Sequence, residues 1–277
     1  MSSKVAVVTG ASSGIGEAVA PALQAKGFTV YAVARRIERM AALAADGIRT
    51  VRADVTDDAS LVALVDQIIA ESGRIDVLVN NAGYGSYGAV EDVPLAEARR
   101  QFDVNIFGLA RLTQLVLPHM RAQHSGTVIN ISSMGGKIYE PLGGWYHATK
   151  FALEGLSDSM RMEVAPFGIA VVVIEPGAIK TEWAGIAADS LVEMSGHGAY
   201  AEQAASLTRL LRAADGPNAR GSDPAVVAGA VVKAATARRP RTRYAVGLAA
   251  KPLIYTRKVL TDRAFDRVMR QVTQRAG

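Results

Sequence analysis

Cysteine is absent from the 277-residue chain. That excludes a disulfide scaffold, a thiol nucleophile, a thiolate zinc site and an iron–sulfur cluster. Aromatic residues are scarce at 6%, and nothing approaches the roughly 18 uninterrupted apolar residues of a membrane-spanning helix. Only four histidines occur (His119, His124, His147 and His197), without metal-ligand spacing or a carboxylate cluster beside them, so no metal is expected. Residues 1–4 lead straight into an apolar run, without the charged-then-apolar order of a signal peptide. A soluble, cytoplasmic protein is the expectation.

What is present is a globular composition, 49% hydrophobic and 21% charged, which excludes disorder. A chain of this length buries ~75% of its unfolded surface and fits either two domains or one large α/β domain. The net charge of +5 conceals an asymmetry. Residues 238–277 hold eleven basic and two acidic side chains, a surplus of nine that leaves the preceding 237 residues at −4.

Short β-branched runs at 5–9, 29–34, 48–55, 76–80, 127–132, 169–175 and 243–246 alternate with helical patterns. Several are apolar without alternation, such as Val171-Val172-Val173-Ile174, which suits strands covered on both faces. After the cap cluster Thr56-Asp57-Asp58, residues Leu61, Leu64, Val65, Ile68 and Ile69 share one helix face, and Gly73 stands at the C-cap. The reading is a single α/β domain over 1–277: a doubly wound parallel sheet of about seven strands with helices on both faces. Residues 183–224 lack a strand, and a segment of that length reads as a substrate lid or binding loop.

The first strand runs into Thr9-Gly10-Ala11-Ser12-Ser13-Gly14-Ile15-Gly16. Glycines there let backbone amides approach a phosphate, and the following helix N-terminus adds its dipole. A dinucleotide with a free ribose 2′-hydroxyl calls for an acid at the end of the second strand. Arg35 and Arg36 stand there instead, and guanidinium groups suit a phosphate dianion, so NADP is expected in preference to NAD. Ser12 or Ser13 would add a hydrogen bond to that phosphate.

From residue 4 to about 182 the chain resembles the short-chain dehydrogenase/reductase family, motif by motif and in order. The Thr9–Gly16 turn is followed by Asp54-Val55, Asn80-Asn81-Ala82-Gly83, Asn105, Ser132-Ser133, Tyr146-x-x-x-Lys150 and Pro176-Gly177-x-Ile179-x-Thr181. The resemblance implies a Rossmann fold and hydride transfer between a nicotinamide and a carbonyl/alcohol pair. It makes Tyr146 the general acid/base and Lys150, one helical turn on, the cation that lowers the phenol's pKa from ~10 and holds the nicotinamide ribose. A serine beside the tyrosine would hold the substrate oxygen, and Asn105 would lie on a kinked helix holding a relay water. Ser133 is preferred to Ser132 because it precedes Met134-Gly135-Gly136 and stands thirteen positions before Tyr146. Asp54 and Val55 would meet the adenine, Asn81, Ala82 and Gly83 the adenosine ribose, and Pro176, Gly177, Ile179 and Thr181 the nicotinamide.

The 139–145 stretch and the 183–224 segment hold Trp, Tyr, Leu, Ile and Met with few charges, which points to a small-molecule partner that is a sizeable hydrophobic ketone, aldehyde or secondary alcohol rather than a phosphorylated sugar. The C-terminal extension resembles the 17β-hydroxysteroid and retinol dehydrogenase-like branch, so a steroid- or retinoid-like substrate is one expectation. The alternatives are a β-ketoacyl reductase and a catalytically silent NADP(H)-binding regulator. Apolar residues spread around 151–164 imply a second buried face and a homodimer or homotetramer. The basic extension at 238–277 has no nucleic-acid motif. It reads as one or two amphipathic helices, apolar at Leu253, Ile254, Val259, Leu260, Phe265, Val268, Met269 and Val272, packed on the acidic body, or else meeting an anionic membrane surface, with the first favoured.

Overall fold

A computed structural model describes residues 3–214 and 220–274. The chain runs β1 (Val5–Thr9), α1 (Gly14–Gln24), β2 (Thr29–Ala34), α2 (Ala41–Ala45), β3 (Arg49–Arg52), α3 (Asp58–Ser72) and β4 (Val77–Asn80). It continues through α4 (Leu95–Phe102), α5 (Leu109–Ala122), β5 (Gly126–Ile131), α6 (Gly144–Val164) and β6 (Ile169–Pro176). After β6 come α7 (Trp183–Ser195), α8 (Ala201–Ala213), α9 (Ala225–Thr236), β7 (Arg243–Val246), α10 (Ala250–Val259) and α11 (Asp262–Gln274).

The seven strands form one sheet in the order β3-β2-β1-β4-β5-β6-β7, every pair parallel. The unbroken apolar runs are explained by two cores. Ala6 and Val8 of β1 face Val19, Leu23, Val227 and Val231, whereas Val5 and Val7 face Leu61, Leu64, Leu112 and Val116. A strand buried on both faces reads as a near-continuous apolar run, and the polar exceptions are paired, as Asn80 of β4 is with Asn130 of β5 at 2.9 Å. α3 begins where the Asp57 carboxylate accepts the Ala59 amide and ends at Gly73, whose φ is 69°. β2 and β4 leave β1 in opposite directions, which opens a crevice at the carboxyl ends of the strands.

The strandless segment at 183–224 is two helices, with Ala187 and Leu191 of α7 packed on Ala204 and Leu207 of α8; its residues 215–219 lie outside the described residues. The basic extension forms α10 and α11, up to residue 274; residues 275–277 lie outside the described residues. Phe265 and Met269 bury against Ile138, and the Ser206 hydroxyl donates to the Thr273 carbonyl at 2.7 Å. These helices therefore pack on the body. Val259 and Val272, apolar positions expected on the packed face, are instead 60% and 43% exposed, because the two helices meet the body through Ile254, Phe265 and Met269. No helix among the described residues is long and apolar enough to cross a membrane.

β7 is fastened to α6 by charge. Arg243 reaches Glu154 at 3.0 Å, Asp158 at 2.7 Å and Glu175 at 3.3 Å, and Lys137 lies 2.9 Å from Glu154. The hydrogen bond from Arg243 is the main reason the Asp158 carboxyl falls to about 2. The Glu154 and Glu175 side chains are each 5% exposed, so removing the guanidinium would strand the Glu175 carboxylate and leave Glu154 to Lys137 alone. Arg243→Ala is expected to cost about 3 kcal/mol. Denaturant unfolding should show a lower midpoint at unchanged slope; an unchanged midpoint would contradict this ion cluster's role.

Candidate active site

The turn after β1 and the turn after β4 flank the crevice and are clamped together. The Thr9 hydroxyl accepts the amides of Asn81 and Ala82, both at 3.0 Å. Asn81 Nδ2 donates to the carbonyls of Thr9 at 2.9 Å and Gly10 at 3.2 Å. A Cβ on Gly16 would stand 2.4 Å from the Gly10 carbonyl oxygen, so only glycine allows this closeness. Ser12 is buried, Ser13 caps α1 without a side-chain hydrogen bond to it, and Ile15 packs on the core behind. An open cleft of about 410 Å³ lies at this helix start, lined by Ser13, Gly14, Glu17, Arg39, Thr181 and Glu182 among others. A backbone cradle at a helix N-terminus with arginines beside it fits a phosphorylated dinucleotide.

Both arginines at the end of β2 already meet carboxylates. Arg35 lies 3.8 Å from Asp54, and Arg36 lies 3.8 Å from Glu182. Asp54 also accepts the Thr56 amide at 2.9 Å and its hydroxyl at 2.8 Å. Val55 is half-buried, and its carbonyl would be 2.3 Å from a Cβ on Gly108.

At the carboxyl end of β5 the two serines diverge. The Ser133 hydroxyl accepts the Gly135 amide at 3.0 Å and stands close enough to the Tyr146 phenol to favour its ionised form. Ser132 is buried with no partner for its hydroxyl, which lies toward Gly136. Lys150, one turn along α6 from Tyr146, donates from Nζ to the Ile131 carbonyl at 3.0 Å and lies 5.9 Å from the Tyr146 ring centre. Burial pushes the Tyr146 phenol up to about 12, with the Ser133 hydrogen bond pulling the other way. Burial lowers the Lys150 ammonium to about 8, against the charge of Glu154. The expected depression of the phenol by Lys150 is thus absent from the ligand-free chain: both groups lose water, and burial outweighs their mutual influence.

Asn105 stands in a π-helical stretch, Asp103–Gly108, between α4 and α5, the kind of widened turn found at functional sites. Its carbonyl accepts the Tyr84 amide at 3.1 Å, and its Nδ2 donates to Tyr84 O at 3.0 Å and Thr149 Oγ1 at 3.1 Å. Every polar atom of that side chain already has a protein partner. A Cβ on Gly83 would lie 3.0 Å from its carbonyl oxygen.

After Pro176, which ends β6, Gly177 serves a purpose the motif does not reveal: a Cβ there would fall 1.9 Å from the Leu248 carbonyl, where the chain returns from β7. Ile179 turns its side chain into the core, and the Thr181 methyl lies against Gly14. His147 faces away from the chemistry: Nδ1 meets the Gly135 carbonyl at 2.9 Å and Nε2 accepts the Glu140 amide at 3.2 Å. Tyr139 joins the tail, donating to Asp266 at 3.0 Å and stacking edge-on with Phe265.

Five side chains at the site have no motif to announce them. Trp183 covers the Tyr146 ring at 5.0 Å, and Tyr87 lies 5.7 Å from it. The Tyr87 hydroxyl donates to Glu140 at 2.9 Å, which puts a carboxylate at a wall expected to be nearly free of charge. Arg39 and Glu182 pair across the cleft. The only sequence signals are aromatic residues in the 139–145 and 183–224 stretches, since spacing does not encode contacts between distant loops.

The short chain dehydrogenase family model matches residues 4–190. The chain is 36% identical over 247 residues to a 3-ketodihydrosphingosine reductase of Bacteroides thetaiotaomicron, spanning 89% of each chain. It is 35% identical over 278 residues to an NADPH-dependent 3-dehydrocapnine reductase of Ornithobacterium rhinotracheale, spanning 96% of this chain and 95% of that one. The crystal structure of a short-chain dehydrogenase from Streptomyces avermitilis superimposes with a TM-score of 0.82 at 38% identity, covering 100% of this chain and 99% of that one. With the parallel seven-stranded sheet and the motifs in their order along it, these matches make the chain a member of the short-chain dehydrogenase/reductase family of oxidoreductases.

Proposed function

We propose that the chain reduces sizeable apolar ketones or aldehydes with NADPH, or oxidises the corresponding alcohols with NADP. The observation that carries this reading is the buried Tyr146 phenol, set beside Ser133 and Lys150 within a wall made by Tyr87, Leu142, Trp183 and Leu191. Residues 10–16, Arg35, Arg36, Asp54, Asn81 and Lys150 would hold the dinucleotide, whose nicotinamide supplies or accepts the hydride when bound. Tyr146, protonated up to about 12, is stocked to deliver a proton to the oxygen of a nascent alkoxide. Ser133 donates to the same oxygen, where charge builds. Lys150 brings the positive charge that favours the phenolate when the proton is to be taken instead. Asn105 fixes the Tyr84 loop to α6 and so sets the helix that carries the pair.

The names of the two reductases support the reducing direction, and one of them prints NADPH dependence. Those names print a 3-keto and a 3-dehydro substrate, and the apolar walls here suit a hydrophobic carbonyl, a steroid or retinoid among them. Tyr146→Phe should retain NADPH binding and lose about a thousandfold in turnover on the best ketone of a carbonyl panel. Unchanged turnover would overturn the mechanism, and a preference for small phosphorylated carbonyls would overturn the substrate class.

The cofactor choice rests on Arg35 and Arg36 with Ala34, rather than an acid, before them. Two charge-assisted contacts to a 2′-phosphate predict NADPH bound at least about tenfold more tightly than NADH. Ala34→Asp with both arginines changed to serine should reverse the order in a titration. Equal binding of NADH by the unaltered chain would refute the choice.

Homo-oligomerisation is supported by one apolar face. Phe151 and Met162 share one side of α6 at 46% and 75% exposure, while Leu156, on another side of that helix, and Phe107, between α4 and α5, add apolar surface at 37% and 61% exposure. A symmetric pairing of such faces buries them against a second copy. Light scattering at micromolar concentration should give a multiple of 29.2 kDa; a monomer would contradict the pairing.

A further inference from the structure

Three consecutive residues connect the arginines, the glycine turn and the acid/base tyrosine. Glu182 takes both guanidinium nitrogens of Arg39, one of them at 3.1 Å, and lies 3.8 Å from Arg36. The preceding Thr181 sets its methyl 2.8 Å from where a Cβ on Gly14 would stand, against the phosphate turn. The following Trp183 lies 5.0 Å from the Tyr146 ring and edge-on to Tyr87 at 5.9 Å. Its indole also fills the space beside Gly85, where a Cβ would come within 2.4 Å. Under this cover Tyr146 is only 6% exposed.

The latch is built to be exchanged. Arg36, Arg39 and Glu182 have side chains 50%, 38% and 48% exposed, so water screens the pairing and it holds only weakly. A phosphate monoester brings nearly twice the charge of a carboxylate and three acceptor oxygens to the same donors. We propose that Glu182 is a specificity-determining residue: it occupies the Arg36 and Arg39 donors that otherwise take a ribose 2′-phosphate, and the arrival of that phosphate releases Glu182 and withdraws Trp183 from Tyr146. The inference rests on the NADP reading above and adds to it Arg39 as a phosphate ligand and a link between cofactor identity and access to the acid/base. NADH, which has no 2′-phosphate, leaves the latch shut. Because Glu182 and the phosphate exclude each other from these donors, the latch scales apparent affinity down to the fraction of chains that are open.

Trp145 and Trp183 are the two tryptophans of the chain, so a Trp145→Phe background leaves Trp183 as the sole indole reporter. In that background, adenosine 2′,5′-bisphosphate and 5′-AMP are titrated in parallel, with binding read by calorimetry and Trp183 by emission and acrylamide quenching. The bisphosphate should shift emission to longer wavelength and raise quenching, whereas 5′-AMP should leave both unchanged. Glu182→Gln should show the quenchable indole before any ligand is added and bind the bisphosphate about fivefold more tightly, the equivalent of losing one exposed ion pair. Arg39→Ala should weaken the bisphosphate and spare 5′-AMP. Binding of the bisphosphate with Trp183 unmoved, or with Glu182→Gln no tighter, overturns the latch while leaving the NADP reading intact. No measurable heat with the bisphosphate overturns that reading, and the latch with it.

Discussion

Lys150 is 8% exposed, and its ammonium donates to the Ile131 carbonyl at the last residue of β5. That contact seats α6 on the carboxyl edge of the sheet, and the rest of the site is arranged along the face it defines. Tyr146, Lys150, Glu154 and Asp158 follow one another at four-residue intervals, so one stripe of the helix meets the sheet from end to end. Its upper part carries the acid/base pair. Its lower part carries the carboxylates that Arg243 and Lys137 neutralise. Anchoring at the lower end keeps the tyrosine in register with Ser133, because a helix transmits an axial shift to every residue on it.

Burial along that stripe also sets the electrostatics. Desolvation favours the neutral form of both groups, moving the phenol up to about 12 and the ammonium down to about 8. The buried phenol therefore holds its proton, as a group that protonates a nascent alkoxide must. The cover over it comes from the neighbouring α7, whose first residue packs on Tyr146 while the residue before it is held by arginines on the cofactor side. Acid/base chemistry and nucleotide recognition thus meet in the short segment after β6.

The fold was legible in the sequence because it depends on local patterns. Val171-Val172-Val173-Ile174 cannot be half-exposed, and Asp57 and Gly73 close α3 with capping chemistry that a sequence displays directly. The family motifs were legible for a similar reason: most are short turns at the ends of strands, and Tyr146 and Lys150 are a single helical turn apart on α6. Tyr87, Glu140, Arg39 and Glu182 were not legible, since each acquires its role from a partner tens of residues away. Gly177 was legible as a glycine but not in its reason, which is a chain passing overhead 71 positions later. The direction of the Tyr146 shift was misjudged because spacing reveals a nearby cation but not the loss of water. The packed faces of α10 and α11 were overdrawn at Val259 and Val272, where amphipathic spacing continues past the contact itself.

The central claim is that this chain moves a hydride between a nicotinamide and a carbonyl carbon. The most direct measurement uses NADPH deuterated at the transferring position of the nicotinamide, a panel of apolar ketones and mass spectrometry of the products. The account predicts an alcohol carrying deuterium on its carbinol carbon, formed in step with NADPH consumption. NADPH bound tightly but left unoxidised across the panel, or consumed with no deuterium reaching any product, would contradict it.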